Sequence, residues 1–490
     1  MTAIQKLFIA NRAEIALRIT RTARRMGIAT VVPWHRQDRF GPARALSDEA
    51  VELAGDPPVS AWLDIDGLVR AALDTGCDAV HPGYGFLSEN AAFARAVAQA
   101  GLSFVGPPAS VIELMGDKIT ARRFAVSQDV PVTPSADEAD DPATFAARAH
   151  ALGFPLLIKG AAGGGGKGMQ IVRHAQALAQ AITVARAESQ RYFGDGRLFA
   201  ERFVEQPRHI EVQVFGDIHG QVIHLGEREC SIQRRFQKLI EESPAPTLPA
   251  GLRDRICGAA VRLASAAGYI NAGTVECIVA PDGQFFFLEM NTRLQVEHPV
   301  TEMVTGLDLV ELQLRVAQGE PLPIRQQDVR SSGHAIECRI LAEDADAGFV
   351  PDTGKVLLLR APQGPGIRFD CGVTEGAPVT ADFDSMLAKL VTHGADRALA
   401  ISRMRDALNE TVMLGVTINS NFLSRVLRHP AFARGETDTG FLERHKAELA
   451  PDTATLADRQ AMLAVVASVD PDPAASPVPE PYASMGAWRN

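Results

Sequence analysis

One turn signal constrains the fold more than any other feature. Asp282-Gly283 separates the run Gly273–Val279 from the run Phe285–Asn291. A two-residue type I′ hairpin needs positive φ at both central positions, and Asp-Gly accepts it. Pairing outward from that turn sets position 281 against 284 and, further along, Glu276 against Glu289. Like charges directly opposite each other destabilise a sheet, and a divalent cation between them reverses the penalty. Mg²⁺ takes one or two carboxylates together with phosphate oxygens. Asn291, on the same face, adds a neutral oxygen. The register therefore predicts a metal site, and a slip of one residue would break it. The odd positions continue as Arg293, Gln295 and Glu297. If the chain stays extended, a planar anion clamp and a proton acceptor stand beside the metal. That is the equipment of phosphoryl transfer to an oxyanion acceptor.

A second signal is Ile158-Lys159-Gly160-Ala161-Ala162-Gly163-Gly164-Gly165-Gly166-Lys167-Gly168-Met169. It fails the P-loop pattern, because Ala161 takes the first glycine position and Gly168 follows the lysine. Apolar runs flank it, so it reads as a loop between two strands rather than a linker. Backbone N–H groups free of side chains approach phosphate oxygens closely, and such a loop suits a mobile lid over nucleotide.

The remaining pattern is α/β, then α+β. Strands near 7–10, 30–32, 78–81 and 103–105 alternate with helices near 13–26, 66–74 and 90–100, which predicts a parallel sheet. No GxGxxG follows the first strand. From about residue 202 hairpins dominate, with helices near 253–267 and 307–317, and short strands with a helix near 398–409 follow from residue 333. A helix at Ala457–Val469 precedes a proline-rich spacer. The chain of 490 residues, 46% hydrophobic and 22% charged, suits about three domains. Its net charge of −10 argues against nucleic acid as a partner. Six separated cysteines, none in a CxxC, read as core thiols rather than a zinc or redox site. No run spans a bilayer and no signal peptide is evident, so a cytoplasmic protein is expected.

Several stretches are specific. His81-Pro82-Gly83-Tyr84-Gly85-Phe86-Leu87-Ser88-Glu89-Asn90, Met115-Gly116-Asp117-Lys118, Pro207-Arg208-His209-Ile210-Glu211-Val212-Gln213, Arg234-Arg235-Phe236-Gln237-Lys238 and Glu289–Glu302, with the glycine loop, resemble biotin carboxylase over residues 4–447. This is the ATP-grasp ligase of biotin-dependent acyl-CoA carboxylases. The resemblance implies a Rossmann-like domain over 1–117, an ATP-grasp domain over 118–330 with a lid at about 131–203, a C-terminal α+β domain over 331–447, and a helix with linker over 448–490.

Residue by residue, the resemblance implies that ATP meets Lys118, Lys159, Gly165, Gly166, the hinge Glu201–Val204, His209, Gln233 and position 236, with Glu276 and Glu289 reached through metal. Glu276, Glu289 and Asn291 would hold Mg²⁺ or Mn²⁺, two ions in all. Lys238, Arg293, Gln295 and Val296 would bind bicarbonate, Glu297 would deprotonate it, and Arg293 would also stabilise the biotin enolate. Tyr84 and Arg339 would lie at the biotin ring. Implied partners are a biotin carboxyl carrier protein or domain, a carboxyltransferase subunit and a second copy of the chain. Three departures stand out: Phe236 where the family has histidine, Ala13 where it has glycine, and the stretch Pro33–Gln37. They motivate an alternative reading as a nucleotide-binding regulatory paralogue. A carboxylate ligase with another acceptor is disfavoured by the residues from Arg293 to Glu297. No Met-Lys-Met biotinylation motif is present, and the tail Pro481–Asn490 resembles the opening of the next domain in longer α subunits. The final acyl acceptor is not encoded in these motifs.

Overall fold

Short apolar strands and amphipathic helices build the first layer. In the computed structural model, Lys6–Ile9, Ala29–Trp34, Glu49–Glu52, Ala79–His81 and Ser103–Phe104 form one parallel sheet. Its helices are capped where the sequence offers an acceptor: Asp64 accepts from Gly67 N–H, Asn90 from Phe93 N–H and Asp117 from Thr120 N–H, each satisfying an orphan donor. The helix Ala13–Arg25 turns Ile15, Ala16, Ile19 and Ala23 into the core. The expected parallel sheet is present. The strand Glu49–Glu52, too polar to signal itself, is an addition, and the strand expected near 30–32 runs on through Pro33-Trp34.

The structure describes residues 3–138, 141, 143–161, 169–451, 460–461 and 463–464. Gly165, Gly166 and the rest of the loop between 162 and 168 lie outside them. The described flanks, Leu156–Gly160 and Gln170–Val172, are antiparallel neighbours, as a strand–loop–strand reading requires. With Ser135–Asp137 and Leu198–Arg202 they make a four-stranded sheet. Helix Leu178–Phe193 packs on it around a small core that includes Leu156, Ile158, Val172, Leu178 and Leu198.

An eight-stranded sheet carries the chemistry. Its order is Phe285–Asn291, Asn271–Val279, Arg208–Gly216, Val222–Arg234, Gln237–Ser243, His334–Leu341, Met386–Gly394 and Ile367–Cys371. It therefore continues unbroken across position 331. One face is covered by helix Ala250–Ala266, with Ile210, Val212, Val214, Val275 and Cys277 in the shared core. The chain divides into two units, Met1–Lys446 and Ala447–Asn490. In the second, residues 460–461 and 463–464 are helical. The rest of the helix expected over Ala457–Val469, and the proline-rich stretch, fall outside the described residues. Among the described residues no helix is long and apolar enough to cross a membrane.

Two local expectations are corrected. The turn is not type I′: Gly283 has φ +81° but Asp282 is not left-handed. Ala280 and Gln284 close a three-residue loop instead. That shifts the register by one, to Val279 opposite Phe285 and Cys277 opposite Phe287. A bulge at Leu288 then takes up one residue, and Glu276 does face Glu289. The polar row is also not one extended edge. The strand ends at Asn291, and Glu297 is already the N-cap of helix His298–Thr305.

Candidate active site

Alternation on adjacent strands brings acidic and basic groups to one face. His209, Glu211 and Gln213 alternate with apolar Ile210, Val212 and Val214, and the register sets Glu211 beside Glu276. A tight hairpin at Arg235-Phe236 delivers Lys238 opposite Gln233. The Lys238 ammonium donates to Glu211 at 2.5 Å, to Glu276 at 2.9 Å and to Glu297 at 2.6 Å. Glu276 Oε1 accepts also from Asn291 and Gln295, each at 2.9 Å, and its other oxygen lies 3.0 Å from His209 Nε2. Glu289 is 3.1 Å from Lys118 Nζ.

The turn beyond Asn291 folds Arg293 back over the strand end. Its guanidinium donates to Asn291 Oδ1 at 2.9 Å, Gln295 Oε1 at 3.0 Å and Glu89 at 2.9 Å. Arg339 spans Glu297 at 2.9 Å and Glu241 at 2.6 Å. Val296 offers its carbonyl to Lys389 at 2.9 Å. The cleft in front, about 470 Å³, is lined by Lys238, Arg293, Val296, Arg339 and Tyr84, with Arg12 and Phe383 at its wall. Tyr84 Oη has no partner.

Burial alone would raise the carboxyl pKa of Glu297, but Lys238, Arg339 and Arg228 together hold it well below the ordinary value. Glu276 is likewise pushed down against its burial, by Lys238 and His209. Burial opposes the charge on Lys238, yet Glu211, Glu276 and Glu297 outweigh it and raise its pKa. Charges in this quantity persist in a buried place only when paired and hydrogen-bonded.

The nucleotide-side residues form a second cluster. Glu201 is buried against Lys159, Arg122 and Thr133. Burial would raise its carboxyl, but Lys159 and Arg122 bring it down to about 2. Burial lowers Lys159 below the usual amine value, with Glu201 opposing only in part. The Glu201 side chain is thus committed, and the strand Leu198–Arg202 that carries it is paired on both sides. Gln233 donates from Nε2 to His209 Nδ1 at 2.9 Å. Phe236 is 47% exposed with φ +67° and joins neither cluster.

Lys238, Glu276, Asn291, Arg293, Gln295, Glu297 and Arg339 are therefore linked by direct contacts, Glu289 with its partner Lys118 stands opposite Glu276 in the register, and Tyr84 and Val296 share the cleft. Sequence reasoning gave no role to Glu89, Glu211, Glu241 or Arg228. Glu211 had a signal, as the middle of three polar residues on one face of an otherwise apolar strand. Arg228 is wholly buried, bonded to Glu211, Gln213, Thr274 and Thr301. The oxygens of Glu276, Glu289 and Asn291 suit a hard cation. Lys118 and Lys238 supply positive charge beside those carboxylates here.

The profile described as biotin carboxylase, N-terminal domain, matches residues 3–112. That of the carbamoyl-phosphate synthase L chain, ATP binding domain, matches 117–325, and that of the biotin carboxylase C-terminal domain matches 337–444. The chain is 46% identical to the biotin carboxylase of Halalkalibacterium halodurans, over 90% of this chain and 98% of that one. It is also 46% identical to the mitochondrial methylcrotonoyl-CoA carboxylase subunit alpha of Glycine max, over 92% of this chain but only 62% of the relative. It thus spans about three fifths of that longer protein. The biotin carboxylase domain dimer of Hydrogenobacter thermophilus 2-oxoglutarate carboxylase, solved with MgADP, ADP and bicarbonate, superposes with a TM-score of 0.90 at 40% identity, covering 92% of this chain and all of that one. These matches cover both ends of the eight-stranded sheet and the cleft between them, and the chain belongs to the biotin carboxylase family.

Proposed function

We propose that this chain is the ATP-dependent ligase component that carboxylates biotin on a carrier, using bicarbonate. The observation that carries the reading is Lys238, one ammonium shared among Glu211, Glu276 and Glu297 in a cleft with Arg293, Arg339 and an unpartnered Tyr84 hydroxyl. A bicarbonate seated between Lys238 and Arg293 draws Lys238 away from Glu297. That removes the largest charge holding its carboxylate acidic, so Glu297 becomes basic enough to take the bicarbonate O–H proton. The freed oxygen attacks the γ-phosphorus of ATP, giving ADP and carboxyphosphate. Lys118 and Lys159 would offset phosphate charge. Glu276, Glu289 and Asn291 would hold Mg²⁺, which supplies further charge neutralisation at the phosphate oxygens.

Carboxyphosphate breaks down to CO₂ and phosphate, phosphate takes the ureido proton of biotin, and the ring nitrogen attacks CO₂. Arg293 offsets the enolate charge, while Tyr84 and Arg339 border the ring. The partners of this reading are a biotin carboxyl carrier, a carboxyltransferase subunit and a second copy of the chain, in the cytoplasm. The test is bicarbonate-dependent ADP release with free biotin. Biotin should stimulate it, and Arg293→Ala should remove the stimulation while MgATP binding persists. Stimulation that survives Arg293→Ala would refute the assignment.

A further inference from the structure

Behind Arg339 lies a second pair of carboxylates that the proposed reaction does not use. The register places Glu241 directly opposite Glu337, with Cβ atoms of such pairs about 5 Å apart. Both residues are wholly buried. Among the described residues Glu337 has no hydrogen-bond partner on either oxygen, and Glu241 has none on Oε2, its Oε1 being taken by Arg339. A carboxylate without donors in an apolar interior cannot remain ionised. Two of them side by side cannot both be charged. Among the described residues, the register sets the free oxygen of Glu241 across from Glu337 as an acceptor for a proton there.

The groups around the pair come from every packed element. Facing the pair stand Lys238 of Glu241's own strand, Cys230 on the strand beside it, Arg339 of Glu337's strand, Lys389 across the next strand, and Glu297 at the start of helix His298–Thr305. Lys389 is wholly buried and already holds the Val296 carbonyl, 3.3 Å from Glu14. Helix Arg397–Glu410 packs on the other face, where Thr392 donates to Ala400. Arg339 is the sole bridge from the pair to Glu297 among the described residues.

We propose that Glu241 and Glu337 share a single proton, and that this acid pair positions Arg339 against Glu297. One negative charge on the pair balances one arm of Arg339 and leaves the other on the base. Loss of the shared proton adds a second buried negative charge and draws the guanidinium away from Glu297. Consistently, burial raises both carboxyls, Glu241 to about 7 and Glu337 well above its ordinary value. The inference rests on the reading of Glu297 as base for its consequence, but the proton itself is observable without turnover.

The direct experiment is infrared spectroscopy of the intact chain at neutral pH. A protonated buried carboxyl gives a carbonyl band that shifts in D₂O, and Glu337→Gln should delete it. Glu337→Gln copies the neutral acid in shape, so bicarbonate-dependent ATPase should stay within about twofold at pH 7. The descending alkaline limb of kcat/KM for bicarbonate should move to higher pH in that variant, because no proton is left to lose. Glu241→Gln should lower kcat at every pH, by releasing Arg339, without raising KM for ATP. If Glu337→Gln does not fold, the wild-type band and Glu241→Gln still decide. Absence of any protonated-carboxyl band in the wild type would overturn the proposal whatever the activity. So would a Glu337→Gln profile superimposable on the wild type.

Discussion

Replacing Lys238 with Met removes the positive end from among three buried carboxylates while keeping most of the side chain's volume. The three acids keep other partners: Glu211 retains Arg228, Glu297 retains Arg339, and Glu276 retains Asn291, Gln295 and the neighbouring His209. They nonetheless lose the charge that offset their burial. Breaking a buried pair by removing one partner costs about 3–5 kcal/mol, and the Lys238 side chain is only 11% exposed, so little screening discount applies. With roughly 2.1 cal/mol/K of unfolding entropy per residue over the unit Met1–Lys446, that is a fall in Tm of about 3–5 °C at pH 7. The pH dependence has a definite sign. Glu276 and Glu297 have depressed folded pKa values, so their contribution is present above the unfolded value of about 4.3 and is lost as pH falls through the folded values. The Lys238 pKa is raised, so its own contribution is intact throughout this range. The variant's deficit should therefore be full at neutral pH and narrow below about pH 4. Scanning calorimetry at a series of pH values reads both quantities. A Tm loss under about 1 °C at pH 7, or a deficit indifferent to acid, would refute the electrostatic account of this cluster.

Three further outcomes follow from other residues. If Glu289 belongs to the proposed metal set, Glu289→Gln removes a charged oxygen and should raise the Mg²⁺ concentration for half-maximal ATPase on the order of tenfold; an unchanged requirement would remove Glu289 from that set. Ala13 sits at φ +55°, where an L side chain is strained, so Ala13→Gly should stabilise the chain by about 1 kcal/mol in urea unfolding, and a loss of stability would contradict the strain. Phe236→His restores a polar group at an exposed turn and should lower KM for ATP about fivefold, the worth of one hydrogen bond; unaltered KM would mean that position 236 does not touch nucleotide.

The site was legible where alternation and turn chemistry act locally. Glu276 meets Glu289 as the hairpin argument required, although two departures cancel to produce it: a three-residue loop in place of the two-residue turn, and the bulge at Leu288. Neither leaves a clear mark in the sequence, since Asp-Gly serves several hairpin loops and a leucine bulge looks like any strand leucine. Arg293, Gln295 and Glu297 were identified, but the extended row that was to align them was not there. Those groups converge because a turn and a helix N-terminus bend the chain over the strand end. Glu89, Glu241 and Arg339 come from segments far apart in the chain, and only the continuation of one sheet from Gln237–Ser243 to His334–Leu341 brings the last two together. Periodicity within a strand cannot report which strand lies beside it.

Transfer of label tests the central claim most directly. The chain is incubated with MgATP, labelled bicarbonate and free biotin, and acid-labile label on biotin is counted. The account predicts carboxybiotin formed in step with ADP, dependent on bicarbonate and lost in Arg293→Ala. ADP release with no label on biotin, from protein that binds MgATP, would contradict it.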